Sequence, residues 1–382
     1  MKKTEFRNVI FISFSQFGTA LAFNIMYVFL PFYISGVSPY GARDTLLWTG
    51  AILGSTGTCL AFTAPGWGSL SHRFSPRSIY LIGIVSQSFL TLLMGFSTNL
   101  HVLLILRTLM GGFGGVSTAG LIIVSVSSSP QNRAFHLGIF QSSLTLGQLI
   151  GPPAGTLAVA MLGYQWAFVS AALIMFAASV FCYLYVAKLP PLPKEMKSST
   201  WSALDKRTLT GWVLCVSATI HLMFLPSIFP LVSQRFGLDK AVALKWAGLI
   251  VMLYTSTAMI GTYLWSFLAG RVGVKRMLNI LLLSGVVLPA LLLVVTDITS
   301  FTVVVMLETG MVAAIIPLTI SIFAAEPKGS IIGFINAARF VGMALGPMLA
   351  TSLLAFANLP ALYLSISGIT LAAYLGFRAF MK

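Results

Sequence analysis

Three ionisable side chains stand where ionisable side chains are expensive. Arg107, Glu308 and Arg339 lie inside long apolar runs, in "LLILRTLMGG", "VVVMLETGMV" and "INAARFVGMA". A charge in such surroundings persists only with a partner or a polar path beside it, so each is a candidate for function. Glu308 is the only acidic residue deep inside a run. Asp44, Asp239 and Asp297 fall near one set of run ends, and Glu5, Glu195, Asp205 and Glu326 near the other. A buried carboxylate can take up and release a proton, which makes Glu308 the candidate proton carrier. The alternative is a structural partner for Arg107 or Arg339. His101, His136 and His221 are weaker candidates for the same chemistry. His221 shares a run with Pro226 and Pro230, and packing is its alternative.

A site for a small molecule needs apolar walls and a few polar anchors. Gln16 and Asn24 supply amides in the first run. Phe23, Tyr27, Phe29, Phe32, Phe224 and Phe229 supply aromatic surface. Arg107, His221 and Arg339 add charge, and lipid contact or helix packing is the alternative at each position. Two arginines set against one carboxylate leave a positive charge over. This predicts a preference for neutral or anionic molecules, unless Arg339 is spent on backbone carbonyls. Cys59, Cys182 and Cys215 all fall within runs and read as small packing residues. No metal site, cofactor or phosphate-binding loop is expected.

The elements that must hold these residues follow from composition. The 382 residues are 57% hydrophobic and only 8% charged, against about 25% charged in soluble domains. Twelve apolar runs, each long enough to cross roughly 30 Å of hydrocarbon, cover 9–35, 46–70, 77–97, 100–124, 134–160, 166–187, 211–235, 246–269, 276–296, 301–324, 330–356 and 361–380. They are continuous rather than alternating, so they predict helices and not barrel strands. The first run is too long for a signal peptide and lacks a small-residue cleavage site. The polar stretch 188–210 reads as a linker between an N-terminal half, 1–187, and a C-terminal half, 211–382.

The net charge of +15 would suit a nucleic-acid partner, but its placement does not. With the N-terminus inside, inner segments hold 17 Lys and Arg and outer loops hold only Arg43, Arg235, Lys240 and Lys245. That asymmetry predicts an inner-membrane, multi-pass chain with both termini cytoplasmic. The basic surface is then topology plus attraction to membrane lipids.

The halves repeat. Gly138, Gly147, Gly151 and Pro152 recur as Gly333, Gly342, Gly346 and Pro347, offset by 195. Leu70, Arg73 and Arg77 match Leu268, Arg271 and Lys275, offset by 198. Gly147, Gly151 and Gly155 share one helix face, where small residues allow close helix approach. Pro152 removes a helix hydrogen bond and is expected to bend its span.

"GSLSHRFSPRS", from Gly68, resembles a cytoplasmic G-x-L-a-D-R-x-G-r-[RK] motif. "LRTLMGGFGG" resembles the fourth-helix motif l-x-x-x-R-x-x-q-G. The pattern G-x8-G-x3-G-P-x2-G over Gly138–Gly155 resembles the antiporter motif of helix 5. Over its whole length the chain thereby resembles the major facilitator superfamily, within it the twelve-helix drug:proton antiporter branch. The resemblance implies an all-α membrane protein of two parallel six-helix halves joined by alternating access. It implies export of small amphipathic molecules in exchange for protons, with no enzymatic activity, by a monomer. A dedicated exporter of one metabolite, such as a sugar or siderophore, an uncoupled facilitator, or a non-transporting receptor are the alternatives. It further implies that helices 1, 4, 7 and 10 line a cavity, so that Arg107 and Glu308 can face each other as an ion pair. Helices 2, 5, 8 and 11 would line the seam. Gly68, His72, Arg73, Arg77, Gly138, Gly147, Gly151, Pro152, Gly155, Gly342, Gly346 and Pro347 are then gating candidates. The chain departs from the motif at His72, where the family has an aspartate, and at Gly270 in the second copy. The acidic side of the family's latch is missing.

Overall fold

The computed structural model describes residues 2–129, 131–191, 205–323 and 329–381. All elements among them are helices: α1 (Lys2–Val37), α2 (Ala42–Leu70), α3 (Pro76–Gly95), α4 (Leu100–Gly112), α5 (Val116–Ser127), α6 (Arg133–Tyr185), α7 (Lys206–Arg235), α8 (Lys240–Val272), α9 (Val274–Leu291), α10 (Ile298–Val312), α11 (Ile315–Phe323), α12 (Gly329–Phe356) and α13 (Leu359–Phe380). Helix is forced by the solvent. Hydrocarbon offers no partner to backbone groups, so each span must satisfy its own.

Eleven described segments are long and apolar enough to cross a membrane. The twelfth is hidden in α6. Its backbone leaves helical geometry at Gly163 (φ 80°, ψ 170°), which divides two limbs. Positive φ there is a glycine conformation, and the expected fifth and sixth spans lie on either side of it. α6 keeps helical dihedrals through Pro152 and Pro153, and the break falls at Gly163, in the gap expected between the fifth and sixth spans.

Two expected spans are not continuous. The fourth is α4 and α5, separated at 113–115. The tenth is α10 and α11, separated at 313–314. A break frees carbonyls, and in an apolar setting these need donors. Side chains provide them. Gly112 O accepts from Trp67 Nε1 (2.7 Å) and Phe113 O from Gln87 Nε2 (3.1 Å), while Gly111 O, already met by Gly114 N at 3.0 Å, also accepts from Thr63 Oγ1 at 3.2 Å. In the second half Gly310 O accepts from Trp265 Nε1 at 3.0 Å. Both tryptophans and both glycines are offset by 198.

The linker is shorter than expected. Asp205 caps α7 by accepting from Thr208 N at 2.7 Å, so Lys206 to Thr210 are helical. That bond holds the Asp205 carboxyl below its ordinary range. Residues 192–204 lie outside the described part.

The chain forms two compact units. One comprises Met1–Ser38, Thr58–Glu195 and Leu244–Met252; the other comprises Pro39–Gly57, Met196–Ala243 and Leu253–Lys382. Each thus takes a piece of one helix from the other half of the sequence. In the first unit α1 runs along α6, with Ile12, Phe29, Phe140 and Phe168 fully enclosed. Its glycines set the spacing. A Cβ at Gly147 would come within 2.7 Å of Ala20 Cβ, and one at Gly151 within 2.9 Å of Leu21 O. In the second unit Leu214, Leu278, Leu281, Leu282, Ile315 and Phe377 form the core.

Candidate functional site

The second unit builds a buried polar chain from three helices. His221 of α7 places Nδ1 2.6 Å from Glu308 Oε1 of α10, and Nε2 2.7 Å from Thr370 Oγ1 of α13. Ser217 Oγ, one turn before His221, lies 2.9 Å from the same threonine oxygen. Glu308 is 0% and His221 2% exposed. The fourth wall is α9 at Gly285, where a Cβ would sit 3.1 Å from Thr370 Cγ2 and 3.8 Å from His221 Nε2. Glycine there leaves room for the imidazole.

Valence limits the proton states. Thr370 has one hydroxyl proton and also lies 3.1 Å from Ile366 O. If it donates to that carbonyl, Nε2 must be the donor to Thr370. The Nδ1–Oε1 contact then holds a second proton, on imidazolium or on a protonated carboxyl. If Thr370 turns and donates to Nε2, the imidazole is neutral and only the Nδ1 proton remains between the pair. The two arrangements differ by one proton and break no contact between side chains. Glu308 Oε2, Tyr363 Oη and Ser367 Oγ are buried without hydrogen-bond partners among the described residues. Tyr363, Ser367 and Thr370 share one face of α13 by their spacing.

Glu308 therefore meets His221, not Arg107 as the sequence suggested. In the repeat, the offset of 198 aligns Gly112 with Gly310, so Glu308 corresponds to Met110 and not to Arg107. Arg107 is 1% exposed in the first unit, its guanidinium 5.6 Å from the centre of the Phe23 ring. Phe23 and His221 share the same offset of 198. The equivalent position thus supplies an aromatic face to a cation in one half and an imidazole to a carboxylate in the other.

The remaining polar candidates are mostly held by protein. Gln16 Nε2 donates to Ser117 Oγ at 3.2 Å and is 2% exposed. Asn24 Nδ2 donates to Ala20 O of its own helix at 2.8 Å. His136 is buried with Nδ1 2.8 Å from Ser128 Oγ, and His101 is exposed. Phe29, Phe224 and Phe229 are core residues, not open surface. Phe23 and Tyr27 are half-buried and stacked, 6.1 Å apart. Arg339 differs from all of these. It is exposed on α12, near Cys215 of α7, and no hydrogen bond or ion pair reaches it among the described residues.

The gating candidates separate into groups. Gly147, Gly151 and Gly155 face α1, and Gly342 and Gly346 face Thr219 and Met223 of α7. They pack neighbours within their own half rather than the expected seam. Close contacts between helices from different halves of the sequence instead involve Pro152 and Pro347. A Cβ at Gly248 of α8 would lie 3.1 Å from Pro152 O, and one at Gly50 of α2 would lie 3.2 Å from Pro347 O. A Cβ at Gly138 would meet nothing within 4 Å among the described residues, so Gly138 makes no close approach. Gly68 lies in the last turn of α2, and His72 and Arg73 occupy the turn after it. Arg77 donates to Tyr183 O and lies over the Tyr183 ring at 5.2 Å, which ties it to the second limb of α6.

Sequence reasoning missed Thr370, Ser217, Gly285, Trp67, Trp265, Gly50 and Gly248. The offset of 198 was the available signal for the last four, since it relates Trp67 to Trp265 and Gly50 to Gly248.

Comparison with known proteins agrees with this architecture. The multidrug resistance protein MdtG of Proteus mirabilis is 24% identical over 354 residues, covering 90% of this chain and 88% of its own. The staphyloferrin B transporter of Staphylococcus aureus is 26% identical over 181 residues, covering 47% and 43%. An auto-inhibited POT family peptide transporter superposes with a TM-score of 0.81 at 13% identity, over 98% of this chain and 96% of its own. A Major Facilitator Superfamily profile matches residues 12–347, and with the paired helical halves and repeated brackets, the chain belongs to that superfamily of multi-pass membrane transporters.

Proposed function

We propose that the protein is a secondary active exporter of small amphipathic molecules, driven by proton exchange through the Glu308–His221 pair. The observation that carries this is the buried carboxylate–imidazole–hydroxyl chain, whose side-chain contacts are compatible with two arrangements that differ by one proton. A carboxylate and imidazole enclosed this completely are costly unless used. Export is supported by the glycine–proline pattern of span 5 and by the multidrug resistance relatives. The exposed intramembrane Arg339 favours neutral or anionic cargo. Both termini are taken as cytoplasmic from the charge asymmetry.

Purified protein in liposomes with an imposed pH gradient tests the reading. Glu308→Gln should lose proton-driven transport by at least about tenfold, as removal of a proton carrier requires, while still binding substrate. His221→Gln should keep some transport with a displaced pH profile. Wild-type rate and pH dependence in Glu308→Gln would sink proton coupling at this pair.

A second reading is a dedicated exporter of one metabolite, favoured by the similarity to the staphyloferrin B transporter. A single saturating substrate, with no protection against a panel of unrelated toxic compounds, would select it.

A further inference from the structure

The second unit has an open basic cleft whose lining includes none of His221, Glu308 and Thr370. It is lined by Lys275 and Asn279 of α9 and by Phe377, Arg378 and Met381 at the end of α13, with a volume of about 340 Å³. The floor is apolar, since Phe377 and Met381 are 3% and 2% exposed. The rim is cationic. Lys275 and Arg378 are exposed, and neither has an ion-pair partner among the described residues. Lys206 adds charge nearby, with Nζ 5.6 Å from the centre of the Phe380 ring. One lining residue, Asn279, also carries an unmet acceptor. Asn279 Nδ2 donates to Lys275 O at 2.8 Å, which leaves Oδ1 buried without a partner among the described residues.

A ligand that satisfies all three features has an anionic centre for the two cations, a hydrogen-bond donor for Asn279 Oδ1 and an apolar portion. Volume limits what enters. About 340 Å³ is roughly ten water volumes at ~30 Å³ each, enough for a polar head group but not for acyl chains. Under the positive-inside topology the cleft opens at the cytoplasmic leaflet, where basic pockets between helices take lipid head groups. We infer that this cleft binds an anionic phospholipid whose head group carries hydroxyl donors, phosphatidylglycerol being the simplest. The phosphate meets Lys275 and Arg378, a glycerol hydroxyl donates to Asn279 Oδ1, and the acyl chains leave along α9 and α13. A choline head has no donor for Asn279. An ethanolamine head brings an ammonium against two cations.

Native mass spectrometry of the full chain in detergent, titrated with defined lipids, tests this. Phosphatidylglycerol should bind more tightly than phosphatidylcholine or phosphatidylethanolamine. Each cation contributes about fivefold at a membrane surface, so Lys275→Gln with Arg378→Gln should weaken phosphatidylglycerol at least tenfold and leave phosphatidylcholine unchanged. Asn279→Leu retains both cations. It should bind phosphatidylglycerol and phosphatidylmethanol equally, whereas the unaltered protein prefers the former. If the double variant does not fold, the Asn279 comparison decides. Equal binding of choline and glycerol lipids, unweakened binding by a folded double variant, or displacement by millimolar inorganic phosphate would each overturn the assignment. The last outcome would identify a free-anion site instead.

Discussion

At the scale of single residues, the two halves use equivalent positions differently. Phe23 presents a ring to Arg107, whereas His221 presents a nitrogen to Glu308. The first half therefore sets its buried cation against a ring, and the second pairs its buried carboxylate with an imidazole. Arg339 is the open charge, and its role is separable from coupling. Arg339→Gln should reduce export of anionic compounds by roughly tenfold to a hundredfold, the scale of one lost charge-assisted hydrogen bond at about 1.5–3 kcal/mol. Neutral compounds should be affected much less, and Arg339→Lys should restore part of the anion activity. A resistance panel reads this directly. Protection against ethidium-like cations, with none against anions or neutral compounds, would refute the preference. The charged members of the site were legible in the sequence, because a charge inside an apolar run is visible without a fold. Their partners were not. His221, Glu308 and Thr370 meet only through tertiary packing of α7, α10 and α13, and no local spacing encodes that.

At the scale of elements, broken helices are where expectation and structure part. "GGFGG" and "GMVAAI" were both read as lying inside uninterrupted spans, 100–124 and 301–324. Both spans break, and the breaks persist because donors on adjacent helices meet the released carbonyls. Gly261 of α8 also lies directly against the Gly310 carbonyl. The Trp265 bracket acts two residues beyond Glu308. Trp265→Phe keeps an aromatic ring but leaves Gly310 O unmet, at a cost of about 1–3 kcal/mol. It should lower the melting temperature and also displace the pH profile of transport. Trp67→Phe leaves Gly112 O unmet at similar cost and should lower the melting temperature alone, because Glu308 is not on that helix. Paired unfolding curves and pH profiles distinguish the two. Equal displacement of both pH profiles would show that the brackets are only structural. The twelve-span plan itself was readable from hydropathy, since length and apolarity are set by the bilayer and not by tertiary contacts. The gap between the fifth and sixth spans was readable in the same way. The residue that makes the turn was not, because Gly163 is one glycine among many and only its φ of 80° sets it apart.

At the scale of the whole molecule, transport requires contacts that form and release, and the glycines make contacts both within and across the halves of the sequence. Gly151 packs within one half. A Cβ there would lie 2.5 Å from Asn24 Cβ within the first unit. Gly151→Leu should therefore lower folded yield as well as transport. Gly50 and Gly248 instead pack across the halves of the sequence. They bring α2 against Pro347 and Thr351 of α12, and α8 against Pro152 and Thr156 of α6. Each contact joins helices from different halves of the sequence, and each lies toward the outer ends of its helices under the expected topology. A Cβ at Gly248 would lie 2.8 Å from Thr156 Cγ2 as well as close to Pro152 O. A methyl group there opposes this arrangement while leaving each half's own packing alone. Such a change shifts a conformational equilibrium by its differential cost in the two states. Overpacking a close contact costs about 1–3 kcal/mol, which corresponds to roughly fivefold to more than a hundredfold in population. Gly50→Ala with Gly248→Ala should therefore raise labelling, by a membrane-impermeant thiol reagent added outside, of a cysteine placed at Thr351. Folded yield should stay near that of the cysteine variant alone. Unchanged outside labelling in the double-alanine protein would show that these two contacts do not govern access.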